Sequence, residues 1–81
     1  MADYLTSREL MRASGLKEHQ IRQYVMIGLL KPATRTESGR MLFPRRAARI
    51  ARLIKALNDS GYSLRDIREV FFEHRHRRRR S

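Results

Sequence analysis

Arg22, Gln23 and Tyr24 stand in a row, with His19 and Gln20 just before them and Lys17 opening the segment. These side chains recognise rather than react. A guanidinium meets a phosphate or a guanine edge through two parallel hydrogen bonds, and a Gln amide can donate and accept together at an adenine edge. A Tyr hydroxyl can reach a phosphate while its ring packs on its own domain. The blander reading is an ordinary wet helix face, with Tyr24 partly packed against Ile27.

Catalysis finds no comparable support. No nucleophile lies at a recognisable spacing from a base, and the acidic residues serve as helix caps or ion-pair partners, so no enzymatic activity is expected. The chain contains no Cys, which removes disulfides, thiolate metal sites and cysteine redox switching together. His74 and His76 lie in a basic run without Cys or carboxylate support and make a poor cation site. No metal or other cofactor is expected.

Lys and Arg number 19 against 8 Asp and Glu, a net charge of +11. Such an excess favours a polyanion, because each neutralised phosphate releases condensed counterions. Nucleic acid comes first and an acidic membrane surface second. The absence of a signal peptide and of any long apolar run predicts a soluble, cytoplasmic protein without a membrane partner. At 81 residues there is room for one domain and no deep cleft.

The elements that must position these residues are well punctuated. Thr6-Ser7-Arg8-Glu9 fits a capping box with Thr6 as N-cap, and Leu5 and Leu10 are placed for a hydrophobic staple. The first helix therefore runs from Ser7 to Ala13 or Ser14 and stops at Gly15, with Leu16 plugging the turn. Lys17 to Ile27 is helical again, with Ile21 and Val25 on one side and His19, Gln23 and Met26 on the other. Two short helices joined by a tight Gly-containing turn make a helix-turn-helix, the second helix being the one that enters a major groove.

Pro32 forbids a continuing helix, and Ala33 to Phe43 reads as a β-hairpin turning at Glu37, Ser38 and Gly39, with Arg35 and Arg40 on either side. Pro44 suits the first position of a third helix carrying Ala47, Ile50, Ala51, Ile54 and Leu57 inward and a cationic stripe of Arg45, Arg49, Arg52 and Lys55. The stripe is expected to supply long-range field rather than contacts. Gly61 closes that helix. Ser63 with Asp66 forms a weaker capping box, Tyr62 and Ile67 a second staple, and a fourth helix from Leu64 to about Phe72 presents Leu64, Ile67, Val70 and Phe71 inward. From His74 the apolar pattern stops, so 74–81 is predicted to be a disordered basic tail, read first as sequence-blind DNA affinity, with a minor-groove arm or a merely solubilising segment as the alternatives.

Ile21-Arg22-Gln23-Tyr24, Gly28-Leu29-Leu30-Lys31-Pro32, Arg35-Thr36-Glu37-Ser38-Gly39, Leu42-Phe43 and Gly61-Tyr62-Ser63-Leu64-Arg65-Asp66-Ile67 occur in this order. In this the chain resembles the DNA-binding domain of MerR-family transcription regulators, from about Tyr4 to Phe72. The resemblance implies a mainly α fold, a four-helix winged helix-turn-helix with a short β-hairpin wing, over residues 1–73. It implies double-stranded DNA as partner, sequence-specific binding and transcription regulation of bacterial type. It also implies RNA polymerase as a partner and a homodimer where a dimerisation helix lies beyond this chain; no effector domain is recognisable.

Carried over by position, the DNA-binding residues are Lys17, His19, Gln20, Arg22, Gln23 and Tyr24 on the second helix, Arg35 and Arg40 in the wing, and Ser63 at the last helix. The chain departs from the family at Gln23, where a second aromatic is frequent, at Val25, where Glu is common, and at Arg40-Met41, where Tyr-Arg is frequent. Two other readings stay open: an excisionase-like architectural DNA-binding protein, and a protein-interaction module using Phe71, Phe72 and the end of the fourth helix.

Overall fold

A computed structural model describes residues 3–80, with side chains described as far as Glu73. Ser81 and the side chains of His74 and His76 lie outside the described residues. The order of elements is β1 (Tyr4–Thr6), α1 (Ser7–Ser14), α2 (Glu18–Met26), β2 (Thr34–Arg35), β3 (Met41–Pro44), α3 (Ala47–Asp59) and α4 (Leu64–Arg80). The expected four-helix winged helix-turn-helix is present, mainly α with a small antiparallel sheet.

Helix α1 begins as its sequence predicts. Thr6 Oγ1 accepts the Glu9 N–H at 3.1 Å, and Glu9 Oε1 accepts the Thr6 N–H at 2.9 Å, so two otherwise orphaned donors are satisfied reciprocally. Gly15 ends the helix at φ 80°, a left-handed conformation that a Cβ would disfavour. Ser14 is buried just before it, and its hydroxyl donates to the Leu10 carbonyl at 2.7 Å while accepting the Leu16 N–H at 3.2 Å. With that hydroxyl as its partner, the Leu16 N–H is not stranded when Leu16 enters the core.

The wing is a hairpin whose register pairs Thr34 with Leu42 and Arg35 with Met41. Gly39 turns it at φ 89°. The opposite edge of β3 is covered by β1, with Leu5 opposite Phe43 and Tyr4 opposite Pro44. Pro44 therefore ends a strand and does not open the third helix. Its missing N–H sits at the strand terminus, and α3 starts at Ala47 after a turn in which the Ile50 N–H reaches the Arg46 carbonyl at 3.1 Å.

The core gathers Leu10, Leu16, Ile21, Tyr24, Leu29, Leu30, Phe43, Ala47, Ala51, Ile54 and Ile67. The small Ala47 and Ala51 let α3 approach α1 closely, and Ile50 and Leu57 pack partly buried beside them. On α4 the expected inward set is corrected: Ile67 is buried and Leu64 and Phe71 are partly so, but Val70 is 60% exposed. Tyr62 is also exposed, so it forms no buried staple with Ile67. Helix α4 runs to Arg80, past the expected end near Phe72. Arginine is a good helix former and no Gly or Pro interrupts the run.

Candidate nucleic-acid interface

Helix α2 is set by its two ends. At its start the Gln20 Oε1 accepts the Lys17 N–H at 2.9 Å, the returning half of a capping box. At its finish the Ile27 N–H meets the Gln23 carbonyl at 3.0 Å, while the Leu29 and Leu30 N–H groups both converge on the Tyr24 carbonyl. From α4, Arg68 Nε donates to the Ile27 carbonyl at 2.7 Å. A cation at a helix C-terminus satisfies an orphan acceptor and opposes the negative end of the helix dipole. Arg52 does the same for α1, donating to the Ala13 carbonyl at 3.0 Å. Part of the cationic stripe on α3 is thus tied into the fold.

With Ile21 and Tyr24 buried, the exposed residues of α2 are Glu18, His19, Arg22, Gln23 and Met26. Arg22 is held by Glu18, one turn earlier, at 3.0 Å with both side chains largely in water. Such a pair is weak and can open to a stronger phosphate or guanine partner.

Between α2, the start of α1 and the wing lies a groove of about 1140 Å³. Arg22 from α2 and Arg35 and Arg40 from the wing line it, joined by Arg8 from α1. Arginines from three elements therefore line one trough. Arg35 is braced by its own hairpin, donating to the Gly39 carbonyl at 3.0 Å. Arg8 carries no sequence signal of its own; it sits in the first turn of α1, and only the tertiary fold brings that turn beside α2.

The remaining sequence candidates fall in different places. Lys17, His19 and Gln23 are exposed but do not line this groove. Gln20 is half-buried and its amide oxygen is engaged in capping. Ser63 is exposed at the head of α4, where its Oγ accepts the Asp66 N–H at 3.1 Å; it lies outside the groove lining.

Tyr24 is 2% exposed and among the largest fully buried side chains, so its ring packs into the core of its own domain. Burial pushes its hydroxyl above the ordinary tyrosine range, the Asp59 carboxylate adds to this, and the Lys55 ammonium pulls against it. The hydroxyl therefore stays protonated and neutral through the physiological range.

Residues 5–73 match the family described as MerR HTH family regulatory protein. The chain belongs to the MerR helix-turn-helix family of regulatory proteins. It is 34% identical over 73 residues to the heavy metal-dependent transcription regulator 2 of Rhizobium meliloti, covering 90% of this chain and 50% of that protein. To the nodulation protein NolA of Bradyrhizobium elkanii it is 33% identical over 62 residues, 76% of this chain and 28% of the relative. The chain thus spans half the length, or less, of these curated relatives.

Two solved MerR-family structures are similar in fold. A transcriptional regulator from Bacillus cereus superposes with a TM-score of 0.70 at 25% identity, covering 95% of this chain and 65% of the other. HiNmlR, a MerR family regulator lacking the sensor domain and solved bound to promoter DNA, superposes with a TM-score of 0.73 at 27% identity, covering 83% and 51%. Among the described residues no helix of this MerR-family chain is long and apolar enough to cross a membrane.

Proposed function

We propose that this domain binds double-stranded DNA sequence-specifically and regulates transcription in the cytoplasm. The observation that carries the reading is the groove in which Arg8, Arg22, Arg35 and Arg40 converge beside the outward face of α2. Phosphates gripped by the wing and by Arg8 would fix the register, and His19, Arg22 and Gln23 would meet base edges. Lys17 and the N–H groups behind Ser63 would add backbone contacts, helped by the positive end of α4. Tyr24 supports the reader from inside, and Gln20 sets the start of its helix.

Residues 1–73 form the binding domain in this reading, and 74–81 supply salt-sensitive affinity without sequence preference. Pairing with a second copy and contact with RNA polymerase would extend the function to promoter control. HiNmlR, bound to promoter DNA, supports the DNA reading by similarity.

The test is randomised-site selection on duplex DNA, followed by titration against salt, with the wild-type chain and Arg22→Ala. The wild type is expected to select a defined motif and to lose affinity steeply as salt rises, while Arg22→Ala loses about 1–3 kcal/mol of discrimination. Binding that is sequence-blind and indifferent to Arg22 would overturn the reading.

A further inference from the structure

One large apolar side chain on the outward face of α2 has no part in the reading above. Met26, in the last turn, is 86% exposed. Single exposed apolar residues are ordinary, but Met26 is not isolated. It lines the groove between α2 and the wing together with Met11, Val25 and Met41, all partly buried. Of the four methionines in the chain, Met11 from α1, Met26 from α2 and Met41 from β3 line this one groove.

The groove thus combines arginines, which suit phosphates, with an apolar surface, which does not. The apolar group that a base pair presents in the major groove is the C5-methyl of a pyrimidine. Arg22 and Met26 lie one helical turn apart on the same face, roughly 6 Å along the axis, or between one and two base-pair steps. An Arg22 that enters the major groove brings Met26 to base edges one or two pairs away. The helix end beneath Met26 is pinned by the Arg68 bond to the Ile27 carbonyl, while the unbranched thioether above it adapts to its partner.

We propose that Met26 is a specificity-determining residue that reads the C5-methyl group of a pyrimidine, in thymine or in 5-methylcytosine, against the apolar lining of the groove. This rests on the DNA-binding reading above. The test uses the selected duplex, with thymines replaced singly by deoxyuridine and cytosines singly by 5-methylcytosine, bound to the wild type and to Met26→Ala. The substitution is at an exposed site and leaves the core intact.

At one position, loss of a thymine methyl is expected to weaken wild-type binding about four-fold, or gain of a cytosine methyl to strengthen it as much. Met26→Ala should be indifferent to the same change, so that the two alterations are not additive. The first arm identifies thymine and the second methylated cytosine. Methyl effects that are absent, or equal in both proteins, while binding stays salt-sensitive and dependent on Arg22, would overturn the role of Met26 and leave the DNA reading standing. Absence of sequence-selective binding by the wild type itself would overturn both.

Discussion

Helix α2 buries Ile21 and Tyr24 on one side and turns His19, Arg22, Gln23 and Met26 outward, whereas α4 buries Ile67 and leaves Val70 in water on what the sequence suggested was its inner face. The division in α2 is sharp because three neighbours constrain it: α1 across the Gly15 turn, the core beneath Tyr24, and Arg68 at its C-terminus. Helix α4 is a buttress that docks through Leu64, Ile67 and Phe71 and through that guanidinium. Rigidity on one face and a polar, mixed surface on the other are what a reading helix requires, since base contacts must be held to within a fraction of an ångström. The helix that supports it needs only to stay in place.

The largest effect expected from this contrast is on stability. Tyr24→Ala should cost about 3–5 kcal/mol in urea unfolding, as for other large aromatics removed from a core, while Val70→Ala should stay within about 0.5 kcal/mol. Equal losses would erase the distinction between the helices. A smaller effect is expected at the joint between them. Arg68→Ala removes the bond to the Ile27 carbonyl and should cost about 1 kcal/mol, with faster amide hydrogen exchange in the last turn of α2. Unchanged exchange there would mean that α4 does not buttress α2.

How much of this was legible in the sequence depended on how local the signal was. The Thr6–Glu9 box, the Gly15 stop and the Gly39 turn each act within a few residues, and each is found where its residues predict. Strand β1 was not legible, because three residues carry no periodicity and Tyr4–Thr6 is a strand only by pairing with β3 some 38 positions on. The same pairing takes Pro44 out of the third helix, where its own preference would have put it.

Tyr24 illustrates a different limit. A tyrosine beside Arg22 satisfies both a contact pattern and a packing pattern, and its burial follows only from the position of the core behind α2. Val70 has helical spacing from Ile67 but lies beyond the edge of the surface that Ile67 meets. Arg8 and Met26 could not be joined to the wing by any spacing rule, since the groove that unites them exists only after the chain has folded. The continuation of α4 to Arg80 was hidden for a simpler reason. A run of arginines has no apolar period to mark it, although its helix propensity is high.

The most direct test of the central claim, that the outward face of α2 and the wing form the DNA-reading surface, is backbone amide NMR of the labelled protein titrated with its selected duplex. Shift changes should concentrate at His19, Arg22, Gln23 and Met26 and at Arg35 and Arg40, with smaller ones at Lys17 and the head of α4, sparing Val70. Changes confined to Val70 and its neighbours, with α2 and the wing unmoved, would contradict it.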